Sequence, residues 1–260
     1  FVADASHELR TPLTSIRGFA ELYRRSGGAD PRAGEALRRI EAEAERMGVL
    51  VDDLLLLAQL DQQRPLERRP VDLLGVVADA AQAAHAQDPL RTVRVEGLLP
   101  GAAPEAVTVP GDESRLRQVL GNLVANALRY TPAGSPLTLR VGVPVGSPDP
   151  VPAGVAPVGV GPAGGRPAAV VGEIDGAPAA AVEVVDAGAG VEPERAERLF
   201  ERFWRADPAR TRAAGGAGLG LAIVEAIVRA HRGRVELYTA PGAGCRFRIL
   251  LPGPRAPRSG

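Results

Sequence analysis

Leu37, Ile40, Ala44, Met47, Val51, Leu54 and Ala58 alternate by three and four, and an apolar seam of that length and period leaves few folds open. Arg38, Arg39, Glu41, Glu45 and Arg46 fill the opposite side of the same helix. Upstream, Leu9, Leu13, Ile16, Ala20 and Tyr23 make a second apolar stripe, also at helical spacing. Ser26-Gly27-Gly28-Ala29-Asp30-Pro31 between the two reads as a turn. The result is a helical hairpin, which is too thin to bury both stripes alone. Pairing with a second copy gives a four-helix bundle, so a homodimer is expected; packing on the chain's own remaining residues is the alternative.

His7 falls on the first helix, within Ser6-His7-Glu8-Leu9-Arg10-Thr11-Pro12-Leu13. At 3.6 residues per turn it lies roughly 160° from the apolar stripe. Its ring is therefore expected to face water, with Glu8 beside it and Thr11 one turn on. Pro12 removes the partner of the Glu8 carbonyl and predicts a kink there. An accessible histidine on a helix is ordinarily a surface residue. The rest of the chain changes that, because it supplies something for the imidazole to react with.

The 260 residues carry 31 basic and 31 acidic side chains, so no global charge argues for nucleic acid. Every basic side chain is arginine, which excludes a phosphate loop ending in Gly-Lys-Ser/Thr. Cys245 is the single cysteine; an internal disulfide or a cysteine-rich zinc site is excluded, and a reducing compartment is suited. A zinc protease helix would need histidine where Thr11 stands. No apolar run approaches the roughly 20 residues that span a bilayer. The chain starts at Phe1 within a helical pattern and reads as a fragment.

Residues 62–70 form a short polar linker broken at Pro65 and Pro70, after which the pattern is mixed α and β. Asp72 and Asp112 are placed to cap helices. Strands are expected at 92–96, 106–109, 137–143 and 181–185, with a hairpin of 235–238 and 246–250. Further helices are expected at 192–205 and 219–230. Residues 142–178 are rich in Gly, Pro, Ala and Val, too proline-rich for a central strand, and read as a disordered or loosely packed insertion.

Three segments of this second unit share a chemical theme. Asn122 and Asn126 stand one helical turn apart, with Arg129 and Tyr130 a turn later; amide oxygens suit a hard cation already largely neutralised by phosphates. Asp186-Ala187-Gly188-Ala189-Gly190 follows a strand, where a carboxylate can read an exocyclic amine and glycines admit close approach. Gly215-Gly216-Ala217-Gly218-Leu219-Gly220 opens a helix, whose exposed N–H groups suit phosphate. Singly, these are an ordinary asparagine pair, a tight turn and a flexible hinge.

Taken in order, the segments resemble those of two-component sensor histidine kinases. The 1–13 stretch is similar to the H box, Asn122 to Ala127 to the N box, the 186–190 turn to the G1 box, Phe200-Glu201-Arg202-Phe203 to the F box, and Gly216 to Gly220 to the G2 box. The resemblance implies a dimerisation and phosphotransfer hairpin over 1–64, a linker over 65–71, an ATP-binding α/β sandwich of the Bergerat type over 72–252 and a tail over 253–260. It implies His7 as phospho-acceptor, Glu8 as its acid–base partner and Thr11 as the hydroxyl used in dephosphorylating a partner. Asn126 would hold Mg²⁺ with Asn122 nearby, Arg129 and Tyr130 would face phosphates, and Asp186 would face adenine above Gly188 and Gly190. Gly216, Gly218, Leu219 and Gly220 would cradle phosphates, residues 206–214 would form a lid, and Arg202 and Arg210 are candidates for a catalytic arginine without assignment. The implied partner is a response regulator, and the implied location is the cytoplasmic portion of a bacterial inner-membrane protein. A same-fold ATPase acting as a clamp explains the nucleotide segments but not the His7 hairpin; an inactive dimeric scaffold would bind no ATP.

Overall fold

The computed structural model describes residues 2–25, 31–61, 66–99, 101–144, 166–174, 176–204 and 217–253, with backbone alone at 2–4, 6–7, 24–25 and 31–33. Its elements are α1 (Val2–Arg25), α2 (Pro31–Asp61), β1 (Arg69–Asp72), α3 (Leu73–Gln87), β2 (Val93–Glu96), β3 (Thr108–Gly111), α4 (Glu113–Tyr130), β4 (Leu137–Gly142), β5 (Ala169–Gly172), β6 (Ala180–Asp186), α5 (Pro193–Ala196), α6 (Gly220–Ala230), β7 (Arg234–Thr239) and β8 (Cys245–Leu251).

The two apolar stripes do become a pair of long helices, α1 running through Pro12. The Arg39 guanidinium sits over the Phe19 ring at 5.3 Å and sets their antiparallel register. The far end of α2 packs on α6, and Leu56 and Leu57 join the buried core of the α/β unit. That covering reaches only the end of the hairpin: Leu13, Leu37 and Val51 remain exposed in the single chain.

Beyond the hairpin, a six-stranded sheet has the order β2-β4-β6-β8-β7-β5. Only β2 and β4 run parallel; the other neighbours are antiparallel. β1 and β3 form a separate antiparallel pair. Alternation along β4 puts Leu137, Leu139 and Val141 into the core with Val77 of α3, Leu123 of α4 and Ile223 and Ile227 of α6. The intervening positions form a row of alternating charge, Glu96–Arg140–Glu183–Arg248–Glu236, paired in register across five strands. Contacts of 3.4 to 3.5 Å link its first four members, opposite charges facing each other across the strands.

Both predicted caps are present. Asp72 accepts from the Leu74 N–H at 3.0 Å, and Asp112 from the Arg115 N–H at 3.2 Å.

Four expectations are corrected. β1 lies within the expected 65–71 linker, because its pairing with β3 makes it part of the α/β unit, which begins at Arg69 rather than at 72. β3 is displaced two residues along from 106–109. The 142–178 stretch contains β5, an edge strand on β7; its four residues lack proline, and an edge position tolerates the prolines around it. Residues 192–205 are not one helix. α5 gives way to a 3-10 turn at Glu197–Phe200, and Phe203 takes a φ of 64°, which a right-handed helix cannot accommodate. Residues 145–165, most of the expected insertion, lie outside the described residues.

Candidate functional site

α4 is the element that assembles the site, because its middle and its exit meet two different glycine turns. The Asn122 side-chain amide donates to the Gly220 carbonyl at 3.2 Å, joining α4 to the first residue of α6. With its nitrogen so committed, the amide oxygen is the atom left to face a ligand. Asn126 is half-buried one turn on, and Arg129 and Tyr130 lie exposed in the last turn. Beyond them, an added Cβ on Gly188 would stand 3.2 Å from the Thr131 methyl and 3.3 Å from the Tyr130 carbonyl. The 186–190 turn therefore presses against the exit of α4.

Asp186 ends β6 and is buried, 7% exposed. One of its oxygens accepts from the Gly188 N–H at 2.8 Å and the Cys245 N–H at 3.3 Å, which leaves the second oxygen for a ligand amine. Burial raises its carboxyl above the usual range, opposed by those two N–H groups and by the charge of Arg91. The neighbouring Cys245 thiol is pushed up to about 12 by burial and by the Asp186 charge, so it stays protonated and unreactive. Gly190 has a φ of 66°, and a Cβ there would fall 1.9 Å from the Ala240 carbonyl oxygen. Only glycine fits that position.

At α6, Leu219 is buried at the N-cap position and no side chain among the described residues caps the helix, whose first-turn N–H groups have no intrahelical partners. Gly218 has a φ of 72°, and its carbonyl accepts from the Phe203 N–H at 3.0 Å. The Phe200–Phe203 segment thus braces the glycine loop, with Phe200 packed edge-on against Phe247 at 6.4 Å. A helix N-terminus preceded by a glycine and faced by an asparagine is chemically suited to phosphate and an accompanying cation. Among the described residues there is no cluster of His, Cys, Asp and Glu that could hold a metal by itself. Gly216, Arg210 and the expected lid at 206–214 lie outside the described residues.

His7, Glu8 and Thr11 lie on α1 of the hairpin. Glu8 is half-buried and Thr11 exposed; the exposure expected for the His7 ring lies outside the described residues. A groove of about 350 Å³ runs beside Arg10, Thr11, Thr14 and Ser15, one turn from His7. A cleft of about 710 Å³ between β5 and α6 is lined by Glu173, Glu225, Arg229 and Arg232 among others. None of the predicted site residues lines it.

Three arrangements had escaped the sequence reading. Arg91 is buried between Asp88, Thr131 and Pro132; a lone arginine in a polar loop carries no signal of that. His231 bridges α6 to the start of α4. Arg202 bonds Asp61 at the end of α2 with 2.8 and 2.9 Å contacts, a pairing across the two units that no local spacing encodes.

Residues 111–255 match the family described as histidine kinase-, DNA gyrase B-, and HSP90-like ATPase, and residues 1–63 match the His Kinase A (phospho-acceptor) domain. The chain is 41% identical over 252 residues to the probable sensor histidine kinase TcrY of Mycobacterium tuberculosis, covering 97% of this chain and 45% of that protein. It is 40% identical over 253 residues to the sensor histidine kinase TrcS of the same organism, covering 97% and 43%. The chain therefore spans less than half the length of these two relatives. Among solved structures, the histidine kinase AdeS of Acinetobacter baumannii matches with a TM-score of 0.62 over 96% of this chain and 98% of that one, at 24% identity, a likeness of fold. The chain belongs to the histidine kinase-, DNA gyrase B-, and HSP90-like ATPase family, as the catalytic core of a histidine kinase. A helical hairpin followed by an α/β sandwich is the fold class expected from the five segments.

Proposed function

We propose that this core binds ATP with Mg²⁺, phosphorylates its own His7, and passes the phosphoryl group to an aspartate of a response regulator. The observation that carries the reading is the Asn122–Gly220 hydrogen bond. It puts the asparagine helix against a glycine-led helix start, on a chain that also presents the His7 hairpin. In this reading 1–64 is the dimerisation and phosphotransfer unit, and 69–252 the ATP-binding unit. The exposed seam of α2 is the face of a homodimer. In this reading the whole protein is a bacterial inner-membrane sensor with this portion in the cytoplasm. Among the described residues no helix is long and apolar enough to cross a membrane.

Each residue has a stated task. Asp186 accepts from the adenine amine, with Gly188 and Gly190 shaping the turn beneath the base. Asn126 holds Mg²⁺ with Asn122 beside it, Arg129 and Tyr130 face phosphate, and Gly216, Gly218, Leu219 and Gly220 offer backbone donors. Bound Mg²⁺ supplies charge neutralisation at the phosphate oxygens. A neutral imidazole nitrogen of His7 attacks the γ-phosphorus and the bond to the ADP oxygen breaks. Glu8 accepts a hydrogen bond from the other ring nitrogen, fixing the tautomer, and stabilises the positive charge that develops on the ring. Positioning and electrostatics do most of the catalytic work. Thr11 serves the reverse activity, orienting a water for removal of phosphate from the regulator.

Incubation with Mg²⁺ and γ-labelled ATP tests this, beside a His7→Gln control that keeps the nucleotide unit intact. Acid-labile, alkali-stable label on the unaltered chain and none on the control is the expected result. Label retained by His7→Gln moves the acceptor elsewhere, and no label with no ATP binding leaves a dimeric scaffold.

A further inference from the structure

Arg91 follows α3, 40 residues from the nearest part of α4's exit along the chain. Its side chain is 1% exposed, and burying a guanidinium is costly unless its donors are met. Each of its three nitrogens has a partner: Nε donates to Asp88 Oδ2 at 2.9 Å, Nη1 to the Thr131 hydroxyl at 2.5 Å and Nη2 to the Pro132 carbonyl at 3.1 Å. The Thr131 hydroxyl passes the connection on, donating to the Ala127 carbonyl at 2.6 Å. Ala127 lies in the last turn of α4, between Asn126 and Arg129, and its carbonyl also accepts from the Thr131 N–H at 3.2 Å. The same Thr131 packs its methyl toward Gly188.

We propose that Arg91 is a positioning residue of the nucleotide site: it holds the exit of α4 against the 186–190 turn and sets a positive charge within electrostatic reach of the Asp186 carboxylate. This rests on the reading of Asp186 as the adenine acceptor. The geometry suits a planar fork, since three separate nitrogens of one flat group each meet a different acceptor, Asp88, Thr131 and Pro132; an ammonium offers a single nitrogen for all three. The same contacts bring the cation toward the carboxylate, since Thr131, bonded to Arg91, packs on Gly188, whose N–H binds Asp186. Burial drives the Asp186 carboxyl up, and the opposing influences are the Gly188 and Cys245 N–H groups and Arg91. The titratable groups facing Asp186 are Arg91, with Asp88 bound to it, and the protonated Cys245 thiol.

An ionised carboxylate accepts from an amine more strongly than a protonated one, so losing the cation should move the acid limit of binding upward in pH. The test measures affinity for a non-hydrolysable ATP analogue with Mg²⁺ by calorimetry between pH 5 and 8. The ratio of variant to unaltered chain is taken at each pH, so that the ligand's own titration cancels. Arg91→Gln should bind about tenfold more weakly at neutral pH, with the loss deepening toward acid. Arg91→Lys should restore the pH dependence but not the full affinity. Asp88→Asn, at a half-buried position, removes the countercharge and should shift the acid limit downward; it decides the question even if Arg91→Gln does not fold. Ratios independent of pH in Asp88→Asn, and in Arg91→Gln where it folds, overturn the proposal while leaving the site reading intact. No binding by the unaltered chain overturns the site reading itself, and the proposal with it.

Discussion

Both ring nitrogens of His231 are occupied in a way that only the neutral form allows. Nδ1 lies 2.8 Å from the Ile227 carbonyl, to which it donates, and Nε2 accepts from the Asp112 N–H at 3.0 Å. Burial lowers its pKa from the ordinary 6.5, and Arg68 adds to this, while the Ile227 bond and Asp112 oppose. A histidine depressed in the folded state contributes stability above its unfolded value, and that contribution is lost as pH falls through it toward the folded one. Leaving the Asp112 N–H unpaired costs about 1–2 kcal/mol. His231→Gln should therefore melt lower than the unaltered chain at pH 7.5, and the gap should narrow by pH 5.5. A gap that is constant with pH would mean that the ring acts by packing alone.

At the scale of elements, legibility follows how local the cause of each structure is. The hairpin and α4 were readable because periodicity and caps at Asp72 and Asp112 are written within a few residues. Asp186, Gly188, Gly190 and Gly218 were readable as turn positions because glycines just after a strand or just before a helix mark turns locally, although what makes glycine obligatory at 190 is a distant partner, the Ala240 carbonyl. β5 was not readable: its four residues become a strand only by pairing with β7. The 192–205 segment was misjudged for a similar reason, since burial of Phe200 against Phe247 and the Phe203–Gly218 bond override helical propensity. The seam of α2 makes its own prediction. Val51 is exposed in the single chain, and Val51→Glu would bring two carboxylates into a dimer's apolar interface at a cost of about 3 kcal/mol or more. Sedimentation should show monomers for Val51→Glu, and dimers for Leu90→Glu, whose side chain lies exposed in the α/β unit. Dimers in both would place the interface elsewhere.

At the scale of the molecule, catalysis requires the nucleotide unit to meet a histidine on the other unit. The Phe19–Arg39 contact puts position 7 of α1 level with Val51 of α2 in an antiparallel pair. Asp61 lies about 15 Å further along the axis at 1.5 Å per residue. There the two units are joined by the Arg202–Asp61 ion pair and by Leu56 and Leu57 in the shared core. The bond also reaches toward the phosphate cradle, since Phe203, the next residue, holds the Gly218 carbonyl. A largely exposed pair of this kind is worth about 1 kcal/mol or less, enough to bias a docked arrangement but not to lock it. If transfer needs the nucleotide unit to leave the hairpin's end, its rate follows the fraction released. Asp61→Asn weakens the anchor from the hairpin side without touching the nucleotide site. It should speed labelling of His7 by about two- to fivefold, with ATP affinity unchanged. An equal or slower rate at equal affinity would mean that the docked arrangement is the productive one, with Arg202 holding the cradle ready for transfer.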